Sequence, residues 1–379
     1  MDKNQLCQVF ANLLKNGVIP KVREMRVRFK NSIESLDLKE ILAGRLDFFK
    51  IQAERVHISL CPEAEKGDFR VKVDRGDKLM KNFSDILNKA RDMGKRRLAV
   101  AQAADATVLA AVEDARREGI IEAILVGFPE EIKREAEKAG VDLKHYMVIE
   151  PESRNSVAGD TVKQVVSGEA ELLMKGLIPT GELLKEVLAK ENGLNRGRTL
   201  SHVGIFEHSD FERLLFVTDA GLNIAPDLKK KRDIVQNAID LAAGGLGIHD
   251  PIVAILAAVE LVNPDMVATL DGASLTKMAQ RGSISGGRVE GPLALDNAIS
   301  VKAAQHKGII SPLAGRADIL VVPDIEAGNV LYKSLVLFGK AKSAGIIVGA
   351  RVPVVLASRA DSTASKLNSI ALAVLAGRG

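Results

Sequence analysis

From residue 83 to the end, the chain carries the pattern of an α/β fold: a mostly parallel sheet with helices on both faces, preceded by a small α+β module. Three observations predict this. Helix-like and strand-like segments alternate from residue 83 onward, which is the arithmetic of βαβ units. Several of the strand-like segments are short unbroken apolar runs, as expected of parallel strands buried on both faces. Two of those runs end in polar clusters at their carboxyl ends, where open α/β sheets place their ligands.

The first 78 residues read as a separate module. Gln5 to Leu14 has the spacing of a short amphipathic helix stopped at Asn16 and Gly17, and Met25 to Phe29 alternates like a half-buried strand. Leu38 to Arg55 reads as a helix, with Ser35 or Asp37 available as its cap. Arg55 to Leu60 and Phe69 to Val73 alternate again around a loop from Pro62 to Asp68, and Arg75 to Lys78 reads as a linker. Nothing in these residues indicates a function.

In the larger region, Ser84 is the expected cap of a helix from Asp85 to Met93, ended by Gly94. Arg97 to Ala101 is a buried strand, and Asp105 opens a helix to Arg117, with Gly119 after it. Ile121 to Val126, Pro129 to Ala139 and Tyr146 to Ile149 continue as strand, helix and strand. Gly204 to Phe206, Leu214 to Thr218 and Met266 to Leu270 are strand-like, whereas Lys230 to Ala243, Ile252 to Val262 and Leu293 to His306 are helix-like. Gly244 to Gly247 follows a helix, so it reads as a helix stop rather than a dinucleotide fingerprint. Arg281 to Arg288 lacks the spacing of a P-loop.

Composition excludes several classes. The chain has 379 residues, 53 basic against 49 acidic side chains and a net charge of +4, too balanced to argue for nucleic acid. Two Tyr, 11 Phe and no Trp leave little for base stacking. The N-terminus lacks a basic start followed by an apolar run, and the longest apolar stretch is too short to span a bilayer, so a cytoplasmic protein is expected. The six His residues form no HxH or HExxH pair, no metal site is expected, and His202 and His208 read as structural or surface groups. The two cysteines are Cys7 and Cys61, so no acyl-cysteine can form between residues 62 and 379.

Two stretches suggest a site. Ile319 to Val322 reads as a buried parallel strand that hands over at Pro323 and Asp324 to Gly328 and Asn329, where backbone can approach a ligand closely. Val352 to Leu356 reads as a second buried strand with Ser358 and Arg359 just past its end, and a hydroxyl beside a guanidinium suits a phosphate or an oxyanion. Asp324 has the chemistry of a cap for the following helix.

The residues Pro323, Asp324, Ala327, Gly328, Asn329, Tyr332 and Lys333, followed by Ser358 and Arg359, resemble the phosphate acetyltransferase and butyryltransferase family. So, in order, do Leu98 to Asp105, Val217 to Gly221, Asp271 with Gly272, and Gly291 to Asp296. The block from Gly291 to Ala298 and that from Ser358 to Ser362 look closer to the butyryl branch. The resemblance covers residues 80 to 379 and implies two α/β/α domains, residues 79–200 with 340–379 and residues 201–339, flanking a cleft. That architecture is similar to the isocitrate/isopropylmalate dehydrogenase type, and family members are usually homodimers. The implied activity is reversible transfer of a short-chain acyl group, butyryl-like or alternatively acetyl, between coenzyme A and inorganic phosphate. Acyl-CoA and phosphate are then substrates, and no bound cofactor, nucleic acid or membrane is required.

By that resemblance, Arg359 would grip phosphate oxygens and Ser358 would donate to the carbonyl oxygen as it gains charge. Asn329 and Lys333 would bind the acyl phosphate beside Gly328, with a turn residue and a solvated helix face as the plain alternatives. Asp219 is a general base or a loop cap, and Asp296 a substrate contact or a buried polar group of the cleft. Acetyl-type members carry an aspartate seven residues after the serine to deprotonate the thiol, but here that position is Ser365, and Asp361 is the nearest carboxylate. They also carry an arginine in the block matched by Asp105 to Val108, where none is found, and a second one near Lys185. The rival readings are a metal- and NAD-dependent hydroxyacid dehydrogenase, whose aspartate set and dinucleotide loop are missing, and a non-catalytic CoA-binding scaffold.

Overall fold

The computed structural model describes residues 25–29, 32–36, 56–62, 69–75, 80–358 and 361–377. It divides into two compact units, Met1–Leu79 and Met80–Gly379. In the first, β1 (Met25–Phe29) pairs antiparallel with β2 (Ser32–Leu36), and β3 (Val56–Pro62) pairs antiparallel with β4 (Phe69–Arg75). The expected strands are therefore present, and β2 adds one that the pattern did not suggest. The expected helices Gln5 to Leu14 and Leu38 to Arg55 lie outside the described residues.

The second unit is built on one sheet of 11 strands, in the order β12-β11-β13-β10-β9-β14-β15-β8-β5-β6-β7. These are β5 (Arg96–Ala101), β6 (Ile121–Val126), β7 (Met147–Ile149), β8 (Leu172–Lys175), β9 (Ser201–Glu207), β10 (Leu215–Thr218), β11 (Ile252–Leu256), β12 (Arg288–Leu293), β13 (Ile319–Val321), β14 (Lys342–Val348) and β15 (Val354–Val355). From β12 to β10, and from β15 to β7, neighbouring strands run parallel. The two flanks meet at β9 and β14, which pair antiparallel with each other and with β10 and β15. The sheet is thus mostly parallel, as the α/β pattern predicts.

Eleven α-helices are described: α1 (Phe83–Asp92), α2 (Ala106–Arg117), α3 (Pro129–Ala139), α4 (Val157–Val166), α5 (Thr180–Leu188), α6 (Leu228–Asp240), α7 (Val267–Gln280), α8 (Leu295–Ile299), α9 (Val301–His306), α10 (Ile325–Leu337) and α11 (Thr363–Ala376). Strand side chains alternate between two sides, and both are buried. Leu98, Val100, Phe216, Val253 and Ile255 join one continuous core with residues of α1, α2, α6 and α11. On the other face the core is two separate clusters, one under α4 and α5 with Ala99 and Leu173, the other with Val217, Ala254 and the packed side of α10.

Three elements correct the sequence reading. Ile252 to Val262, expected as a helix, contains β11, all five of whose residues are buried. An unbroken apolar run has no periodicity to separate a fully buried strand from a buried helix. Met266 to Leu270, expected as a strand, instead opens α7. Leu293 to His306 is not one helix but the last residue of β12 followed by α8 and α9. The cap of α1 is Asn82, whose side chain accepts the Asp85 N–H at 2.9 Å, rather than Ser84. Asp105 and Asp324 cap α2 and α10 as expected. Gly244 and Gly245 end α6 in a π-helical turn over Leu241–Gly245.

Candidate active site

Two of the singled-out positions, Ser358 and Asp361, lie on the loop between β15 and α11, and Ser365 lies in the first turn of α11. Past the buried pair Val354 and Val355, the chain turns at Ser358, which is exposed. The Ser358 N–H donates to Asp361 Oδ2 at 2.7 Å, and the Asp361 N–H donates back to the Ser358 carbonyl at 3.1 Å. Ser362 then caps α11 by accepting the Ser365 N–H at 3.1 Å. Ser365 takes part in a chain of hydroxyls, with Ser343 at 3.3 Å and Ser362 at 3.1 Å. Arg359 lies outside the described residues.

Beneath the loop is a group that the sequence reading missed. Lys366, 2% exposed, donates from Nζ to the Asp361 carbonyl at 2.6 Å. Burial pushes its ammonium below the usual lysine range, against the pull of Asp361 and Asp105. Asp105 caps α2 by accepting the N–H groups of Thr107 and Val108 at 2.9 and 3.0 Å. Burial acts to raise its carboxyl, but the Thr107 hydroxyl and those two amides outweigh it and hold the carboxyl below its ordinary value.

His202 is the second missed group. Of the structural and surface alternatives the structure takes the first: His202 is 6% exposed on β9, and its Nδ1 has no hydrogen-bond partner. Burial lowers its affinity for a proton, and the carboxylates of Asp219 and Asp361 oppose that. Its ring lies 5.9 Å from that of Tyr332 on α10. Burial, helped by Asp361, pushes the Tyr332 phenol up to about 12, and the Ser343 hydroxyl bonded to it works the other way. Tyr332 packs edge-on to Phe206 at 4.9 Å and lies against Gly204, where a Cβ would come within 2.7 Å of the ring. A lone His in an apolar strand and a lone Lys among the small residues of α11 were the only local signals of these two groups.

Asp219, 3% exposed, follows β10. Its Oδ1 accepts the N–H groups of Gly221 and Leu222 at 3.0 and 2.9 Å, and its Oδ2 accepts from the Asn223 backbone and side chain at 3.2 and 2.6 Å. With four donors on two oxygens, the carboxylate shapes a loop, and the loop-cap alternative describes its geometry. Gly328 brings α10 onto that loop: a Cβ there would lie 2.8 Å from Ala220 Cα and 2.9 Å from the Asp219 carbonyl oxygen. Asn329 and Lys333 are exposed on the same helix. Asp296, exposed on α8, has Lys307 at 3.7 Å, and Lys307 also reaches Glu260 at 3.3 Å. None of these interactions reaches the Ser358–Asp361 loop. Lys185 is exposed on α5.

Among the described residues, no group of three or more His, Cys, Asp or Glu side chains could hold a metal ion. Nor is any described helix long and apolar enough to cross a membrane.

Known proteins resemble this chain in sequence and fold. The family model described as phosphate acetyl/butaryl transferase matches residues 82–167 and 155–374. The phosphate butyryltransferase of Clostridium acetobutylicum is 48% identical over 297 residues, 78% of this chain and 98% of that protein. The phosphate acetyltransferase of Thermotoga maritima is 46% identical over 292 residues, 76% of this chain and 98% of that protein. A branched-chain phosphotransacylase from Enterococcus faecalis has a similar solved structure, with a TM-score of 0.66 at 36% identity, covering 75% of this chain and 99% of its own.

Proposed function

The chain belongs to the phosphate acetyl/butaryl transferase family, and we propose that it transfers a short-chain acyl group reversibly between coenzyme A and inorganic phosphate. A phosphate oxygen attacks the thioester carbonyl, the C–S bond breaks as the C–O bond forms, and the departing thiolate takes up a proton. Without a cysteine after residue 61, transfer within the family-like region does not run through an acyl-cysteine. The free thiol's pKa of about 8.5 means that modest electrostatic help gives useful thiolate near neutral pH.

The observation that carries this reading is the clasped turn from Ser358 to Asp361, held over the buried Lys366 at the end of a buried strand. The two hydrogen bonds restrain the backbone of the exposed Ser358, and a donor aimed in advance at developing charge is worth more than a mobile one. Ser358 donates to the carbonyl oxygen in this scheme and Arg359 holds phosphate. Asn329 and Lys333 flank the acyl phosphate from α10.

The division into residues 79–200 with 340–379 and residues 201–339 is supported by the strand order. Strands β9 to β13 occupy one side of the 11-stranded sheet, and β5 to β8 with β14 and β15 the opposite side. The two separate cores on one face fall on either side of the same seam. As a working reading, the protein is a cytoplasmic homodimer, to be checked by sedimentation.

The test is phosphate-dependent release of CoA from acetyl-, propionyl-, butyryl- and branched acyl-CoA. Turnover with butyryl-CoA ahead of acetyl-CoA is expected, given the 48% identity to a phosphate butyryltransferase. The reverse order favours the acetyl reading, for which the Thermotoga maritima relative at 46% identity is the supporting observation. CoA binding without turnover of any of the four sinks the assignment.

A further inference from the structure

Lys366 lies inside α11, a helix otherwise made of small, polar and apolar residues, and it is among the largest fully buried side chains of the described chain. Burying an ammonium carries a desolvation cost that only good partners offset. Among the described residues its one hydrogen bond goes to the Asp361 carbonyl at 2.6 Å, and no carboxylate oxygen lies within ion-pair distance. Asp361 has given Oδ2 to the Ser358 N–H, and Asp105 has given Oδ1 to the Thr107 hydroxyl and to the start of α2. A neutral group could satisfy one carbonyl at lower cost, so fold stability alone does not account for a charge here.

What the charge touches does account for it. Asp361 follows β15 and Asp105 follows β5, so the ammonium sits where α11 meets the ends of two strands of the same flank. The loop it bonds is the one that carries Ser358 and Arg359. We infer that Lys366 is a positioning residue for acyl transfer: anchored on α11, its ammonium fixes the Ser358–Asp361 loop through the Asp361 carbonyl and balances the carboxylates of Asp361 and Asp105. The Asp361 charge also acts on His202 and Tyr332. A neutral side chain at position 366 therefore leaves that carboxylate less restrained and moves Ser358 off its line.

This inference rests on the proposed activity, but it has a readout that does not. The full-length wild type is compared with Lys366→Met, which keeps the length without the charge, and with Lys366→Arg, which keeps a charge that does not titrate. In Lys366→Met, kcat is expected to fall about 10- to 100-fold, the range set by a small misplacement of reacting groups. The KM for acyl-CoA is expected to change little, and the melting temperature to stay level or rise because a buried charge has gone. In the wild type, kcat declines at alkaline pH as the ammonium loses its proton below the ordinary lysine range, and Lys366→Arg removes that decline.

Amide hydrogen exchange at Ser358 and Asp361 reads the loop without reference to turnover, and Lys366→Met is expected to accelerate it while the β9 amides keep their protection. An unchanged kcat, an alkaline decline that persists in Lys366→Arg, or a loss of kcat matched by a fall in melting temperature overturns the inference. Should Lys366→Met fail to fold, a structural role is indicated and the inference falls, unless Lys366→Arg folds and removes the alkaline decline. If the wild type releases no CoA, the activity reading fails and takes the acyl-transfer role with it, while exchange at Ser358 still decides whether Lys366 fixes the loop.

Discussion

The Asp361 carboxylate accepts the Ser358 N–H at 2.7 Å, while the Asp361 N–H returns a bond to the Ser358 carbonyl at 3.1 Å. The two residues clasp each other through both backbone and side chain. This occupies one oxygen of Asp361 and makes it an organiser of the turn before it is anything else. A hydrogen bond to a charged acceptor contributes about 1.5–3 kcal/mol, enough to hold a short loop in one shape.

Replacing Asp361 tests that clasp. Asp361→Asn keeps an acceptor oxygen but loses the charge, whereas Asp361→Ala loses both. Activity is expected in the order wild type, Asn, Ala, with the alanine variant down about 10- to 100-fold in kcat. Steady-state kinetics on the three proteins decide it. Equal activity in the alanine variant would remove the turn from the mechanism.

Asp219 should behave differently, because its two oxygens together accept four donors within its own loop. Asp219→Ala leaves those donors unpaired next to a buried position, which costs about 1–3 kcal/mol for each group that water does not reach. The expected signature is a lower denaturation midpoint, with residual activity whose pH profile keeps its shape. A variant that is fully stable yet has lost the acid limb of its profile would instead make Asp219 the general base.

Gly328 sets how closely α10 approaches that loop. A methyl group there meets Ala220 Cα and Val322 Cγ2 at 2.8 Å each and the Asp219 carbonyl oxygen at 2.9 Å, and two of these three atoms are backbone. Gly328→Ala is expected to lose about 1–3 kcal/mol from overpacking. It should also lower activity, because Tyr332 on the same helix packs beside His202. Thermal melts and turnover measured together check this, and an unaltered protein would mean that α10 shifts without consequence.

Much of this geometry was legible locally. Asp105 and Asp324 read as caps because cap chemistry needs only the next three residues, and both are caps. Ser358 read as a strand-end residue because the apolar run stops just before it. Ile252 to Leu256 was misread for the opposite reason: a strand covered on both faces leaves no alternation to detect. His202 and Lys366 were illegible as site residues because their roles depend on partners far along the chain. His202 comes under the charge of Asp361 only once β9 and β14 pair, and Lys366 under that of Asp105 only once α11 packs against α2. Asp296 is exposed on α8 and pairs with Lys307, so the reading of it as a buried polar group does not hold, because a position within an apolar block does not say which side of the helix faces solvent.

His202 makes a prediction about stability whose sign follows from its burial. In the unfolded chain an imidazole titrates near its ordinary value of about 6.5. In the folded chain burial lowers that value, although Asp219 and Asp361 oppose the shift. Between the two values the unfolded state binds more protons, so stability rises with pH there, by at most about 1.4 kcal/mol per pH unit for one group. The contribution is complete above the unfolded value and is lost as pH falls through 6.5 toward the folded one. Carboxylates held low, such as Glu113 at about 2, lose their contribution in a more acidic window, below 4.5, so the two effects separate. Denaturant midpoints measured across pH 5 to 8 should therefore slope upward in the wild type, and His202→Gln should flatten the slope in that window alone. Parallel slopes in the two proteins would show that the imidazole is either solvated or already charged in the fold, and that the cluster around Asp361 does not hold a neutral ring.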